Sequence, residues 1–176
     1  MTMDLREKMR IIEDFPSPGI SYKDITTILQ DKDALKEAID CLAKATEELD
    51  FDYVLGIEAR GFIFGSALAY SLGKGFLMVR KSGKLPGNLV QASYDLEYGQ
   101  ASIELDKDSL PKGAKVVVLD DLLATGGTAL ATCGLVAEAG GEVVSTLFLT
   151  ELTDLGGREA LEKAGYPVIS ILRWAH

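Results

Sequence analysis

Apolar stretches and short polar breaks alternate along most of the chain. Apolar residues at helical spacing predict an amphipathic helix over residues 3–13 and a second helix from Asp31 or Asp33 to Asp50. Continuous β-branched and aliphatic runs predict buried strands, and the apolar or small-residue runs between them predict helices. The predicted strands are 53–57, 76–80, 115–121, 142–149 and 167–172, and the predicted helices between them are 62–72, 128–139 and 156–164.

The predicted strands and helices follow one another with short connections. This order is typical of an α/β fold, in which an open, mainly parallel sheet is flanked by helices. No linker, repeat or low-complexity segment divides the sequence, so residues 1–176 are predicted to form a single domain. Ligands of such sheets bind beyond the C-terminal ends of the strands. A functional site is therefore expected at that edge.

Two segments lie outside the alternation and are candidates to cover such a site. The N-terminal segment, residues 1–30, is interrupted by the helix-breaking sequence FPSPG. Residues 81–91 are rich in Gly, Pro, Lys and Asn and are expected to be loop. The sequences ASYDLE and ASIELD then alternate on either side of a turn at Tyr98, which predicts a hairpin. We call residues 81–105 the flap and expect it to be flexible.

Composition narrows the classes of function. Hydrophobic residues make up 47 % and charged residues 26 % of the 176 residues, a balance that permits one buried core. The formal net charge is −9, which opposes binding to nucleic acid. No apolar run approaches the roughly 18 residues of a membrane-spanning helix. The first residues, MTMDLREKMRIIEDF, lack the apolar core of a signal peptide. A cytoplasmic protein without a membrane or nucleic-acid partner is expected.

Histidine and cysteine usage excludes further classes. His176 is the single histidine, and a disordered terminus is expected for it. A Ser-His-Asp triad and a His-ligated zinc site are thereby excluded. Cys41 and Cys133 are far apart and form no C-x-x-C motif, so they are expected to be free thiols in a reducing compartment.

The stretch VVVLDDLLATGGT, residues 116–128, is the most informative part of the sequence. A buried strand leads into Thr125, Gly126, Gly127 and Thr128, and then into a helix. Glycines let a ligand approach the backbone closely, and the N–H groups at a helix start carry partial positive charge. Together with the threonine hydroxyls they suit a phosphate dianion without any Lys or Arg. A plain strand-to-helix turn is the alternative.

Asp120 and Asp121 stand together at the end of the apolar strand. Adjacent carboxylates repel each other and are costly to bury without partners. Successive strand residues face opposite ways, so both can reach a ligand only if the chain is already leaving the strand. Sugar hydroxyls or a hydrated Mg²⁺ would provide the partners. Helix-capping or surface acids are the alternative.

The order of apolar strand, two aspartates and A-T-G-G-T resembles the phosphoribosyl pyrophosphate signature of the type I phosphoribosyltransferases. The P-loop pattern is not matched, because Gly83 and Lys84 are followed by Leu85. The resemblance implies this family's fold, and Mg²⁺ carried by the substrate near the aspartates without direct protein ligands. It assigns binding of phosphoribosyl pyrophosphate to Asp120, Asp121, Ala124, Thr125, Gly126, Gly127 and Thr128.

GIEARGF, residues 56–62, closes the first predicted strand of the sheet. Arg60 is a fixed cation suited to a phosphate, and a surface arginine in a turn is the alternative. The resemblance implies that Glu58, Ala59 and Arg60 grip the pyrophosphate, and that the Glu58–Ala59 peptide bond is cis.

RKSGKLPG places Arg80, Lys81 and Lys84 within a short segment of an acidic protein. Pyrophosphate is a plausible target, and a solvated charged face is the alternative. In the family, basic residues near this position can reach into the neighbouring subunit's site, so the resemblance implies a functional homodimer.

Three more segments resemble the adenine subgroup of this family, namely KLPG with ASYDLEYG, FPSPGISYKDIT and ELT. The resemblance runs from about residue 11 to about residue 158 and implies that residues 1–30 form a hood over the base. It assigns adenine binding to Ser21, Lys23 and Leu152, although Leu152 could equally be core. The hood commonly has an aliphatic residue, Phe and Arg where this chain has Ser21, Tyr22 and Lys23. These departures affect the side-chain part of base recognition more than the backbone part.

The resemblance implies transfer of the phosphoribosyl group from phosphoribosyl pyrophosphate to adenine, which yields AMP and pyrophosphate. Glu97 is the candidate for handling the purine ring proton, with Tyr98 beside it and Arg60 at the pyrophosphate. An exposed strand glutamate is the alternative for Glu97. Two alternatives to the whole assignment stay open: another purine base, and a non-catalytic regulator that senses the same ligand.

Overall fold

The computed structural model of the protein describes residues 3–96 and 99–176. The N-terminal elements are α1 (Leu5–Lys8), β1 (Arg10–Glu13), β2 (Ser21–Asp24), α2 (Thr26–Gln30) and α3 (Lys32–Ala45). The later helices are α4 (Arg60–Leu72), α5 (Gly127–Glu138) and α6 (Gly157–Lys163), with a 3-10 turn at Lys107–Ser109. The strands of the central sheet are β3 (Tyr53–Ile57), β4 (Gly75–Lys81), β5 (Leu89–Asp95), β6 (Gln100–Asp106), β7 (Lys115–Leu123), β8 (Glu142–Leu152) and β9 (Val168–Trp174).

The predicted helix over residues 3–13 is wrong. Helix α1 ends at Lys8, and β1 pairs antiparallel with β2 to form a small hairpin. The start of β1 is fixed by distant groups, since Arg10 N donates to Thr27 Oγ1 at 3.0 Å and the Arg10 guanidinium pairs with Asp24. Local apolar spacing does not reveal these distant partners. Pairing with β2 replaces the backbone hydrogen bonds that a longer helix would have made.

Helix α3 begins as predicted, because the Asp31 side chain accepts hydrogen bonds from two N–H groups of the first turn. It ends at Ala45, well before the predicted end at Asp50. The Thr46 hydroxyl donates to Leu42 O at 3.2 Å and closes the last turn. The short helix α2 was not predicted.

The described strands of the central sheet follow the order β5-β6-β4-β3-β7-β8-β9. Strands β4, β3, β7, β8 and β9 are parallel, and the antiparallel hairpin β5–β6 extends the sheet beyond β4. The predicted α/β fold with a mainly parallel sheet is therefore confirmed. Strand β5 begins at Leu89, inside the predicted loop 81–91, because Leu89 pairs with Asp106.

Both faces of the sheet are covered by apolar cores. In β7, Val116 and Val118 belong to the core beneath α5 and α6, and Val117 and Leu119 belong to the core beneath the helices α1–α4. Because β7 is buried on both faces, its sequence is a continuous apolar run. No helix in the described ranges is long and apolar enough to cross a bilayer.

Candidate active site

The turn between β3 and α4 lies at the C-terminal edge of the sheet. It contains Glu58 and Ala59, and their peptide bond is cis, as the resemblance implied. The Glu58 carboxylate accepts hydrogen bonds from Lys81 N at 2.8 Å and from Arg80 Nη2 at 3.2 Å. The backbone N–H of Lys81, together with Arg80, lowers the pKa of Glu58. An ionised carboxylate thus holds this turn against the end of β4.

Helix α4 begins directly against the end of β7. A Cβ atom on Gly61 would lie 2.9 Å from Leu119 O and 3.1 Å from Asp120 Oδ1, so this approach requires glycine. Next to it, Arg60 Nε lies 2.8 Å from Asp121 Oδ2. The turn after β3 and the end of β7 therefore line one crevice, at the edge of the sheet where a site is expected. We call the cavity of ≈ 360 Å³ between them the central cavity.

Asp120 and Asp121 both border the central cavity, although β7 continues as a strand to Leu123. The expectation that both acids reach the site only where the chain leaves the strand is therefore wrong. Asp120 also borders the glycine turn, whereas Asp121 also borders the N-terminal hairpin. The two side chains point in opposite directions from the strand and therefore line different parts of the crevice. Burial, and after it the neighbouring Asp121 carboxylate, raises the pKa of Asp120 well above its ordinary range.

The glycine turn between β7 and α5 encloses a cavity of ≈ 90 Å³. Gly126 has a φ of 87° and packs so closely on Gly157 that an added Cβ would lie 3.1 Å from it. Helix α5 begins at Gly127, and the first N–H groups of a helix have no partner within it. The cavity therefore suits one phosphate group. The predicted residues Ala124, Thr125, Gly126, Gly127 and Thr128 all line it.

The basic segment 80–84 covers the end of β4 and the first residues of the flap. Lys81 borders the central cavity and also a cavity of ≈ 520 Å³ beneath the flap. Arg80 is directed at Glu58, and its Nη1 lies 3.4 Å from Lys84 O. Of the three predicted cations, Lys81 is thus the one that the geometry places on the central cavity.

Glu104 was not predicted to have a role, yet it fixes this segment. It is fully buried on β6 and accepts hydrogen bonds from Lys84 N at 3.0 Å, Leu85 N at 2.8 Å and Gln91 Nε2 at 3.0 Å. The Leu85 N–H contributes most to lowering the pKa of Glu104. The alternation of β6 carries no signal for this residue, because its neighbour Ile103 is buried as well.

A further cavity of ≈ 90 Å³ lies beneath the N-terminal hairpin, and we call it the hood cavity. The predicted adenine-binding residues Ser21, Lys23 and Leu152 line it together. Leu152 is 8 % exposed, so it belongs both to the core and to this wall. Arg60 and Asp121 line the hood cavity as well as the central cavity, and the two cavities therefore share a wall.

The three hood residues that depart from the family's usual pattern make polar contacts. Lys23 Nζ donates to Ser21 O at 3.0 Å and to Ser21 Oγ at 2.8 Å, and it lies 5.7 Å from the centre of the Trp174 ring. The Tyr22 hydroxyl accepts a hydrogen bond from Arg60 Nη1 at 2.9 Å. Lys23 thus bonds within the hood, whereas Tyr22 connects the hood to the crevice.

His176 does not lie in a disordered terminus, contrary to expectation. Its backbone N–H donates to Asp154 Oδ1 at 2.8 Å, and the residue lines the hood cavity. Thr153 N also donates to Trp174 O at 2.8 Å, which turns this end of the chain toward the site. The sequence argument excluded His176 from the site because a disordered terminus was expected. The structure places His176 beside the site, so that reason for excluding it does not hold. The contacts are tertiary, so no local sequence pattern indicates them.

Glu97 and Tyr98, the predicted catalytic residues of the flap, lie outside the described residues. The residues on either side are joined by a hydrogen bond from Leu96 N to Gly99 O at 2.9 Å. Tyr94 and Leu96 line the cavity beneath the flap together with Lys81. The predicted hairpin is therefore confirmed up to the turn itself.

The carboxylates of the crevice suit a divalent metal that arrives with its ligand. In the part of the chain that the structure describes, no three His, Cys, Asp or Glu side chains are grouped so as to hold a metal. Asp120 and Asp121 nevertheless both line the central cavity. Mg²⁺ usually keeps several of its waters when it is bound with substrate phosphates, and two carboxylates beside the cavity suit such a hydrated metal without ligating it directly.

Known proteins resemble this chain over nearly its whole length. The family model of the phosphoribosyl transferase domain matches residues 24–173. The adenine phosphoribosyltransferase of Clostridium botulinum is 54 % identical over 172 residues, which are 98 % of this chain and 99 % of that protein. The crystal structure of adenine phosphoribosyltransferase from Thermoanaerobacter pseudethanolicus has a TM-score of 0.92 at 50 % identity, covering 97 % of this chain and 98 % of that one.

A third relative was solved with ligands. It is the adenine phosphoribosyltransferase of Saccharomyces cerevisiae, complexed with an imino-altritol bisphosphate and adenine. Its TM-score is 0.89 at 38 % identity, and the match covers 96 % of each chain.

Proposed function

The chain belongs to the phosphoribosyl transferase family, among the adenine phosphoribosyltransferases, and from this premise we propose how its residues share the reaction. It transfers the 5-phosphoribosyl group of phosphoribosyl pyrophosphate to adenine, which yields AMP and pyrophosphate in purine salvage. The observation that carries the placement of the substrates is the ion pair between Arg60 and Asp121, since both residues line the central cavity and the hood cavity.

The glycine turn binds the 5′-phosphate in our proposal. The N–H groups of Gly126, Gly127 and Thr128 and the hydroxyls of Thr125 and Thr128 hold it, with no lysine or arginine required. An imino-altritol bisphosphate accompanies adenine in the Saccharomyces cerevisiae relative, which supports a phosphate site near the base. The small cavity of the glycine turn adjoins the central cavity through Asp120, so the ribose lies over Asp120 and Asp121.

The two aspartates hold the ribose hydroxyls. Burial keeps the pKa of Asp120 raised, and hydrogen bonds from hydroxyl groups favour the ionised carboxylate. Asp120 Oδ1 already accepts a hydrogen bond from Asp121 N at 2.8 Å, and the sugar would supply further donors. Two carboxylates beneath the ribose also complement the positive charge that develops on the ring as pyrophosphate leaves.

Pyrophosphate lies at the turn after β3. Glu58, Ala59, Arg60 and Lys81 surround its position. Arg80 and Lys84, in the same basic segment as Lys81, would add positive charge nearby. Mg²⁺ bound with the substrate would neutralise negative charge on the departing pyrophosphate. The flap covers the cavity and excludes water, because hydrolysis is the competing reaction.

Adenine occupies the hood cavity. Backbone groups at Ser21 recognise its edge, Lys23 lies beside it, and Leu152 packs on its face. Adenine must lose the proton of N9 or gain one at N7 as the new bond forms. We assign this proton to Glu97 on the flap, with Tyr98 beside it.

A second copy of the chain is the remaining partner. Ile63 and Tyr70 lie two turns apart on α4 and are 42 % and 91 % exposed, and Met78 on β4 is 43 % exposed. Exposed large apolar side chains of this kind favour an interface. We propose a homodimer formed through this face.

We also place the enzyme in the cytoplasm, since Cys41 and Cys133 are free thiols of the type that a reducing compartment maintains.

Turnover with four bases tests the proposed function. Purified protein is assayed with phosphoribosyl pyrophosphate, Mg²⁺ and adenine, hypoxanthine, guanine or xanthine, and nucleotide and pyrophosphate are quantified. We expect AMP with a kcat/KM for adenine at least about 100-fold above the other bases, a ratio within reach of one or two specific hydrogen bonds. Preference for another base would reassign the substrate. Binding of phosphoribosyl pyrophosphate without turnover would indicate a regulator, and full activity in excess chelator would exclude the metal.

A further inference from the structure

Arg60 is the side chain through which the hood and the crevice are joined. Its Nε lies 2.8 Å from Asp121 Oδ2 on β7, and its Nη1 donates to the Tyr22 hydroxyl on β2 at 2.9 Å. The side chain is 45 % exposed, whereas that of Asp121 is 6 % exposed. An exposed arginine with a single partner would sample several rotamers. The second partner restricts it to the rotamer that meets the carboxylate.

The Tyr22 hydroxyl is held in place by the rest of the hood. Tyr22 pairs with Ile12 across the hairpin, and its ring packs edge-to-face on Phe15 with 5.2 Å between centroids. Phe15 N in turn donates to Ile20 O at 3.2 Å, which closes the loop of the hairpin. The backbone of Tyr22 is therefore held by the hairpin and its ring by Phe15, so the position of its hydroxyl follows the position of the hood.

We infer that Tyr22 is a positioning residue: its hydroxyl holds Arg60 in the rotamer that pairs with Asp121, and it thereby couples the hood over the base to the ribose-binding carboxylates. The inference rests on the proposed function. The hydroxyl adds one hydrogen bond with a cation to the packing of the ring, so its effect can be measured apart from that packing.

The coupling has a direction that kinetics can detect. Adenine binds in the hood cavity, one wall of which is Arg60. With Tyr22 in place, that wall is already ordered when adenine arrives, so binding costs less side-chain entropy. Without the hydroxyl, adenine must order Arg60 itself. The contacts to phosphoribosyl pyrophosphate through the glycine turn remain unchanged.

Tyr22→Phe tests the inference, since it removes only the hydroxyl and restores the residue that the family commonly has. We expect the KM for adenine to rise about three- to tenfold, the range of one hydrogen bond. The KM for phosphoribosyl pyrophosphate should rise less than the KM for adenine, because Arg60 is only one of several residues around the pyrophosphate and the glycine turn is unchanged. The matched control is Tyr166→Phe, which removes a hydroxyl on the opposite face of the sheet, where Tyr166 packs against the core beneath α5 and α6. It should change none of these constants.

A double-mutant cycle with Arg60→Lys shows whether Tyr22 acts through Arg60. A lysine has one point charge and cannot contact both partners in the geometry of the guanidinium. If the inference holds, Tyr22→Phe has no further effect in the Arg60→Lys background. Calorimetric titration with AMP gives the same cycle for variants whose turnover is too slow to measure.

Two results would overturn the inference. An unchanged adenine KM in Tyr22→Phe would show that the hydroxyl positions nothing. An equal, three- to tenfold effect of Tyr22→Phe in both backgrounds would show that Tyr22 acts directly on the base and not through Arg60. Failure of the proposed function is separate from both, because wild-type protein would then form no AMP from adenine.

Discussion

At the scale of single residues, four carboxylates in or beside this crevice differ in their surroundings. Asp121 is paired with Arg60, Asp120 has a raised pKa, and Glu58 and Glu104 fix the loops beside them. Each of the four has a different set of partners, so identical or similar side chains serve different purposes. The one titratable group assigned to proton transfer, Glu97, lies outside this set.

Glu97→Gln should lower kcat for adenine by about 100-fold or more, because glutamine keeps the size of the side chain but cannot transfer a proton. Closure of the flap over the base would remove water from the carboxyl group and raise its pKa toward the working range. The affinity for phosphoribosyl pyrophosphate should change little. Single-turnover kinetics decides the matter: a chemical step within about twofold of wild type would move the proton to solvent or to another group.

The sequence predicted the residues of the crevice better than it predicted their surroundings. Asp120, Asp121 and the TGGT segment form one continuous sequence motif that indicates phosphate and sugar binding. All of these residues line the cavities. Glu104 and His176 have no such pattern. Their partners come from Lys84, Leu85 and Asp154, which only the folded chain brings near.

At the scale of elements, the N-terminal hairpin depends on the anchoring of Asp24. Asp24 is buried and accepts a hydrogen bond from Thr26 N at 2.9 Å, and its carboxylate also pairs with Arg10. These contacts, those of Thr26 first, lower the pKa of Asp24 from 3.8 to about 2. The anchor joins β2 both to α2 and to β1.

Asp24→Asn should destabilise the protein by about 1–2 kcal/mol at pH 7, because the contacts of the folded state favour the ionised carboxylate of Asp24. The folded pKa lies below the unfolded one, so this stabilisation is complete above about pH 4 and is lost as the pH falls through about 2. At pH 3 the difference from wild type should have fallen to about half. Urea unfolding at both pH values measures it, with the exposed Glu47→Gln as the control. A difference that does not shrink in acid would contradict the ionised anchor.

The elements of the sheet follow from apolar runs, whereas the hood hairpin does not. Strands β3, β7 and β8 are long buried runs in the sequence, and α3 has both a cap and helical spacing. The hairpin β1–β2 contains few buried residues, and its pairing joins segments on either side of a turn. Apolar spacing then predicts a helix, because the pairing partners do not enter the local pattern.

At the scale of the whole molecule, the net charge of −9 contrasts with a substrate that is itself an anion. In our proposal, the backbone N–H groups at the start of α5 and the basic segment beside the crevice supply the positive charge locally. The overall α/β order was predictable from the sequence. The closeness of Gly61 to β7 and of Gly126 to α6 was not, since both are contacts between distant segments.

The assembly state gives a prediction at this scale. Tyr70→Glu places a charge on the apolar face of α4, and it should convert the proposed dimer to a monomer through the cost of burying that charge. Sedimentation velocity compares it with wild type and with Ala137→Glu, which adds the same charge to the exposed side of α5. A monomeric wild-type protein, or a dimer unaffected by Tyr70→Glu, would place the interface elsewhere or remove it.

Calorimetric titration of Gly127→Val with phosphoribosyl pyrophosphate tests the central claim, that the glycine turn at the start of α5 binds the substrate's phosphate. A Cβ at Gly127 would meet only Tyr94, at 3.7 Å, so the fold tolerates the substitution, and the added side chain would stand at the edge of the cavity that Gly127 lines. Gly134→Val, on an open side of the same helix, is the matched control. We predict that Gly127→Val loses about 100-fold or more in affinity while its unfolding temperature and that of the control stay similar. Unchanged affinity in a folded Gly127→Val protein would contradict the account.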